Sequence, residues 1–294
     1  GKIADIKFND LHVKAFEYTM LNLQLNNISK DVVVSSMDAN MFLMQNEGFD
    51  YIDIDPFGSP NPFLESAIKK LSRDGILAVT ATDTAALCNA KPKACLRKYW
   101  SHAMWNEQMH EIGLRILARR VQLVGAMHDK ALTPIYSYSK DHYFRIFFSC
   151  RKGKQLCDTM MKKHLFFLYC TKCMARKISK HNHELCCGKP MDFAGLLWTG
   201  KLWDEKLARK IASDFGSRKE GTFCSNIGSE AMIDTIGIYD LHKLSKLYQI
   251  KPPKPDSVVS ELKKNKFKAS RTHINDNYIR TNASIADIVN IIKK

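Results

Sequence analysis

Residues 49–83 read FDYIDIDPFGSPNPFLESAIKKLSRDGILAVTATD, and this stretch decides the fold. Phe49–Asp55 reads as a strand, and Pro60 to Leu71 as a helix with proline near its start and Gly75 beyond its end. Ile76–Thr82 is an apolar strand of the kind buried on both faces of a parallel sheet. A strand–helix–strand unit of this sort is the repeating piece of an α/β doubly wound sheet. Such sheets carry their active sites at the C-terminal ends of strands. The turn Asp55-Pro56-Phe57-Gly58-Ser59-Pro60 is therefore the first place to look for chemistry.

The same alternation extends in both directions. Ile6–Asn9 is a short strand ending at Asn9-Asp10, and Val13 to Leu25 carries Phe16, Met20 and Leu23 at helical spacing before Asn26-Asn27 stops it. Val32–Ser35 is a β-branched run, Trp105–Val124 a long helix, and Pro134–Tyr138 and Tyr143–Cys150 closing strands. Around Arg151 the character changes to a basic connector, a cysteine-rich patch at 170–187 and a lysine-rich helical tail broken at Pro252-Pro253. The tail ends in Phe267–Thr272, Tyr278–Thr281 and the helix Ser284–Lys293, an order compatible with a small winged-helix-like module. The expected division is a catalytic α/β domain over 1–150 and a basic α+β domain over 151–294. The first strand begins almost at once, and Gly48, Gly58 and Gly75 are isolated, so the Gly-rich turn that opens a cofactor sheet is not among these residues. An N-terminal segment ahead of Gly1 is expected to carry it.

Composition narrows the function class. At 45% hydrophobic and 26% charged, the 294 residues exclude disordered and collagen-like chains. No apolar run suits a membrane helix and no signal-peptide pattern opens the chain. Nine cysteines, several within apolar stretches, fit free thiols or metal ligation in a reducing compartment better than a disulfide framework. A soluble intracellular protein is expected, with nucleus, cytoplasm and organelle all left open. Residues 1–150 hold 17 Lys+Arg against 16 Asp+Glu, a balance of +1, whereas residues 151–294 hold 28 against 14, a balance of +14. A field of that sign attracts polyanions, and nucleic acid is the favoured partner.

At the Asp55 turn, proline fixes the shape, the carboxylate points into the crevice and Phe57 offers a stacking face for a flat substrate. That set suits methyl transfer to an exocyclic amine. The amine's lone pair is delocalised into the base, so acceptors on its N–H groups must draw it out of conjugation and then hold the developing cation. The plain alternative is a β-turn with a capping Asp.

The run Asp55–Pro60, the segments Gly75–Ala85 and Ala94–Tyr99, His110–Arg115, Ser137–Arg145 and the terminal Ala269-Ser270-Arg271-Thr272-His273 come in the order of, and closely resemble, the tRNA (guanine-N2)-dimethyltransferase family. The resemblance implies a class I methyltransferase-like doubly wound sheet, here N-terminally truncated. It also implies transfer of one or two methyl groups from S-adenosyl-L-methionine to N2 of guanosine 26 in tRNA. Asp55 matches the catalytic carboxylate, and Phe57 would flank a guanine extruded from the RNA stack. Asp10 matches the residue that bonds the cofactor's ribose hydroxyls, and Asp38-Ala39 the segment that meets its adenine. Each aspartate could instead cap a helix or hold a loop. Asp83 either lines the pocket or caps the next helix. His110, Glu111 and Arg115 read as a buried ion pair or an RNA contact, and Lys268 and Arg271 as phosphate contacts.

Cys170-Thr171-Lys172-Cys173 is a metal knuckle, but the second one is irregular: His183-Glu184-Leu185-Cys186-Cys187-Gly188. A structural zinc would draw on Cys170, Cys173, Cys187 and either Cys186 or His183. Adjacent cysteines on extended backbone point apart, which makes the Cys186–Cys187 pair awkward. Two rival functions remain, a catalytically inactive tRNA-binding scaffold or chaperone and an N-methyltransferase acting on DNA or protein. Oligomeric state is not legible.

Overall fold

Apolar segments rich in β-branched residues alternate with amphipathic ones through the first half, and they fold accordingly. The computed structural model describes residues 5–28 and 32–293. The elements are β1 (Ile6–Asp10), α1 (Val13–Leu25), β2 (Val32–Ser36), α2 (Ala39–Gln45), β3 (Phe49–Ile54), α3 (Asn61–Lys70), β4 (Leu71–Ala81), α4 (Thr84–Leu87), α5 (Pro92–Tyr99), α6 (Met109–Ala126), β5 (Lys130–Lys140) and β6 (Tyr143–Lys152). Among the described residues these strands form two sheets. β1 and β2 pair in parallel from Ile6↔Val32 to Asp10↔Ser36. The other has the order β3-β4-β6-β5, with β3 and β4 parallel and the remaining pairs antiparallel.

Two boundaries shift for local reasons. The helix read to Leu71 stops at Lys70, and β4 begins there instead of at Ile76. Gly75 permits this, because a Cβ would lie 3.0 Å from the Asp50 carbonyl and 3.1 Å from that of Ser72. The helix read from Trp105 starts at Met109, because Asn106 Oδ1 accepts from the Gln108 N–H at 2.9 Å and holds a turn. Within α6, Gly113 lets the helix close on the sheet; a Cβ there would meet the Phe144 ring at 2.8 Å.

The second half comprises α7 (Lys154–Met161), β7 (His164–Tyr169), β8 (Arg176–Ser179), β9 (Leu185–Cys186), β10 (Lys189–Pro190), β11 (Asp192–Trp198), α8 (Glu205–Phe215), α9 (Gly221–Glu230), β12 (Tyr239–Asp240), α10 (Leu241–Tyr248), α11 (Pro255–Lys264), β13 (Ala269–Arg271), β14 (Tyr278–Thr281) and α12 (Ile285–Lys293). From α9 the order helix, strand, helix, helix, hairpin, with the antiparallel sheet β12-β14-β13, is that of a winged-helix module. One cluster of buried apolar side chains runs from Leu64, Leu77 and Ile112 through Phe167 and Trp198 to Leu244 and Ile279. Among the described residues, no helix is long and apolar enough to cross a membrane.

Candidate active site

The register places the chemistry. Ile54 pairs with Val79, Ala81 with Phe144, and Lys140 with Tyr143, so the end of β3, the end of β4 and the β5–β6 turn share one edge. The Asp55–Pro60 turn lies on that edge and is clamped to the end of β4. Gly58 N–H donates to Thr82 Oγ1 at 2.6 Å, and Thr82 N–H donates back to the Gly58 carbonyl at 3.0 Å. Gly58 adopts φ +94°, which a residue with a Cβ tolerates poorly. A second tie comes from Tyr99, fully buried, whose hydroxyl donates to Asp83 Oδ1 at 2.6 Å and lies 3.2 Å from Ser59 Oγ. Burial and the Asp83 carboxylate push the Tyr99 phenol well above its ordinary range, so it stays protonated and donating. Asp55 and Phe57 are exposed on this fixed turn, Phe57 completely.

Asp83 is not the helix cap that is one of its two readings. Its side chain makes no cap for α4 and accepts instead from Tyr99 and from Lys98 Nζ at 3.0 Å, anchoring α5. The neighbouring Asp53 is also engaged, with both oxygens on Arg145 at 2.8 and 2.6 Å, and Arg145 further reaches Thr80 at 2.6 Å. Asp10 ends β1 opposite Ser36, the last residue of β2, and Asp38 follows two residues later as the cap of α2. Asp10 Oδ1 accepts from His12 N–H at 2.8 Å. Asp38 Oδ1 caps α2 through the N–H groups of Asn40 and Met41 at 2.9 and 3.0 Å, with Ala39 opening that helix. Both carboxylates are exposed, and these bonds use Oδ1 alone, leaving Oδ2 directed elsewhere.

Of the two readings of α6, burial is the outcome. Glu111 is 1% exposed and lies between Arg115 and Arg280, 2.8 Å from each. Burial raises the Glu111 carboxyl, but the two guanidinium groups outweigh it and hold the value down to about 2. Arg115 also donates to the carbonyls of Trp198 and Gly200 at 3.0 and 2.8 Å. Arg280 continues to Glu230 at 3.2 Å, and Glu230 accepts from His273 Nδ1. This chain of charges spans α6, α9 and β14, and joins the two halves of the sequence. His110 sits at its margin, 3.3 Å from Ser139 Oγ, with burial and His273 lowering its pKa. Sequence reasoning missed Arg280 and Glu230; an arginine inside the short apolar strand Tyr278–Thr281 was the available signal. The segment Ala269–His273 holds Arg271, whose guanidinium is already paired with Asp256 at 3.0 Å and bonded to the Asp276 carbonyl at 2.8 Å. Lys268 Nζ lies 3.2 Å from the Met232 carbonyl.

The cysteine patch is a convergent site. The sulfurs of Cys170, Cys173, Cys186 and Cys187 all lie within 4.8 Å of one another. Cys173 and Cys186 are 3.6 Å apart, and Cys186 and Cys187 3.8 Å. Tetrahedral zinc with bonds of about 2.3 Å separates its sulfur ligands by about 3.8 Å, so the four thiols fit that ion. The adjacent pair converges because β9 and β10 are joined through Cys187 at φ +52° and Gly188 at φ +76°, a tight hairpin turn and not extended backbone. His183 is exposed and outside the cluster. At Cys170 burial is outweighed by the main-chain N–H groups of Cys173 and Lys172, and its thiol is lowered to about 7. Leu168, Cys170 and Met191 form a small separate core under the knuckle.

Comparison with known proteins gives a consistent result. A family model described as N2,N2-dimethylguanosine tRNA methyltransferase matches residues 2–293. The tRNA (guanine(26)-N(2)/guanine(27)-N(2))-dimethyltransferase of Aquifex aeolicus is 36% identical over 294 residues, covering 96% of this chain and 74% of that protein. The tRNA (guanine(26)-N(2))-dimethyltransferase of Methanobrevibacter smithii is 36% identical, covering 99% of this chain and 78% of that protein. Among solved structures, the complex of Trm1 from Pyrococcus horikoshii with S-adenosyl-L-methionine matches with a TM-score of 0.88 and 30% identity, over 99% of this chain and 82% of that one.

Proposed function

This chain belongs to the N2,N2-dimethylguanosine tRNA methyltransferase family, and from that premise we propose how its own residues carry out the reaction. It is an S-adenosyl-L-methionine-dependent tRNA methyltransferase that adds one or two methyl groups to N2 of guanosine 26. The observation that carries the mechanism is the clamped turn at the end of β3, with its exposed carboxylate and exposed aromatic ring.

Asp55 accepts a hydrogen bond from the N2 amino group, with main-chain carbonyls of the turn taking the other N–H. These acceptors pull the lone pair out of conjugation with the ring and stabilise the positive charge that develops on nitrogen, and the Asp55 carboxylate takes the proton that the methylated amine sheds. Phe57 stacks on the extruded guanine, replacing part of the stacking lost in the RNA. Bound S-adenosyl-L-methionine supplies an electrophilic methyl group. Asp10 would hold the cofactor's ribose hydroxyls, and Asp38 and Ala39 would hold its adenine, Asp38 also capping α2.

The first 150 residues supply the catalytic edge, and the basic remainder, with net charge +14, grips tRNA phosphates. A structural zinc on Cys170, Cys173, Cys186 and Cys187 braces the knuckle beside β7. A catalytically inactive scaffold has no use for a carboxylate held exposed at the sheet edge by two separate ties. The test is nucleoside mass spectrometry of undermethylated tRNA after incubation with the protein and S-adenosyl-L-methionine. N2-methylguanosine and N2,N2-dimethylguanosine are expected; methylation at another atom, or none with tRNA still bound, overturns the reading.

A further inference from the structure

Trp100 follows the tyrosine that ties down the catalytic turn, yet the turn makes no use of it. Its indole is 63% exposed, and its backbone is left-handed, with φ +51° and ψ +46°. Bulky residues seldom adopt that conformation, and where they do, the surroundings impose it. Here the constraint is explicit: Trp100 N–H donates to the Leu96 carbonyl at 3.0 Å, and the Trp100 carbonyl accepts from Arg119 at 3.2 Å. The Arg120 guanidinium lies 4.9 Å from the indole centroid and backs one face of the ring. Arg120 Nε in turn donates to Asn61 Oδ1 at 3.1 Å, and Asn61 Nδ2 donates to the Lys98 carbonyl at 2.8 Å. Asn61 is the residue that opens α3 directly after the catalytic turn. A large aromatic surface is thus held rigid, outward and mechanically linked to the site.

Its surroundings indicate what it meets. Lys93, Leu96 and Arg97 are exposed at helical spacing on α5, Trp100 follows as the exposed, left-handed cap of that helix, and α5 contains no acidic residue. A cationic strip around a protein-backed aromatic ring complements phosphates with a base between them.

We propose that Trp100, backed by Arg120, is a stacking platform for an unpaired base of the RNA substrate beside the methylated guanosine, with Lys93 and Arg97 holding the flanking phosphates. Single-stranded and junction bases are recognised in this way because every base has a π-face, and the guanidinium behind the indole strengthens it. This rests on the tRNA methyltransferase reading above.

The test compares Trp100→Gly and Trp100→Tyr with wild type for tRNA affinity over a range of salt, for KM and kcat of methyl transfer, and for melting temperature. Glycine suits φ +51°, so Trp100→Gly keeps the fold while deleting the platform. It is expected to raise Kd and KM for tRNA about 10-fold or more, with kcat changed less than about twofold and the melting temperature not lowered. The slope of log affinity against log salt stays the same, because indole carries no charge, whereas Lys93→Ala/Arg97→Ala flattens it. Trp100→Tyr retains a ring and stays within about threefold of wild type. Wild-type affinity in Trp100→Gly overturns the platform, as does equal damage in Trp100→Tyr, or a loss of kcat together with a lowered melting temperature. A wild-type protein that neither binds nor methylates tRNA overturns the functional reading instead.

Discussion

Replacing Glu111 by glutamine keeps the side chain's size but removes one charge from the middle of the buried chain Arg115–Glu111–Arg280–Glu230 and turns one of its two accepting oxygens into a donor. The Glu111 carboxyl is held at about 2 against an ordinary 4.5, a gap equivalent to about 3 kcal/mol of native-state preference for the charged form. The general cost of breaking a buried pair from one side, about 3–5 kcal/mol, agrees. The sign follows from the direction of the shift. A carboxyl depressed by folding stabilises the native state above its unfolded value, and that stability is lost as pH falls from about 4.5 towards about 2. Thermal melting at neutral pH should therefore place Glu111→Gln about 5 °C below wild type, with the difference shrinking as the buffer is acidified through that window. The two arginines are not equivalent. Arg280 is raised by Glu111 and Glu230 despite its burial, while burial and the nearby Arg280 charge lower Arg115. Arg280→Met should thus cost more than Arg115→Met. A Glu111→Gln protein melting within about 1 °C of wild type at neutral pH would refute the claim that this charge chain holds the two halves together.

Loss of the Asp55 carboxylate in Asp55→Ala should slow methyl transfer about 10²-fold or more while tRNA affinity, measured by filter binding, changes little. Protein purified without chelator should contain about one zinc per chain by elemental analysis; Cys170→Ser/Cys173→Ser should lose it, and His183→Ala should keep it. Arg271→Ala should leave the salt slope of tRNA binding unchanged, because its guanidinium is already paired with Asp256 and Asp276; a flatter slope would return Arg271 to the RNA surface.

The α/β alternation was legible because β-branched and helical periodicities change cleanly at prolines, glycines and asparagines, and β1, α1 and β14 end where those residues predict. Boundaries failed where a side chain overrode pattern, as at Asn106, or where a close backbone approach started a strand early, as at Gly75. The places of Asp10 at the end of β1, Asp55 just after β3 and Asp38 at the start of α2 were readable from the pattern. Their supports were not. Tyr99 reaches Ser59 across 40 positions and Arg280 reaches Glu111 across 169, and no local period encodes such distances. The convergence of Cys186 with Cys187 was among the readings, but the choice between Cys186 and His183 was not legible. It depends on a left-handed cysteine, which composition does not announce.

The central claim is methylation of N2 at one guanosine by the clamped Asp55 turn. Its most direct test uses two tRNA transcripts that differ only by guanosine or adenosine at position 26, both lacking guanosine at 27, with methyl-labelled S-adenosyl-L-methionine and either wild type or Asp55→Ala. Label is expected on the first transcript alone, at N2 of residue 26, and nearly absent with Asp55→Ala. Equal labelling of both transcripts, or undiminished labelling by Asp55→Ala, would contradict the account.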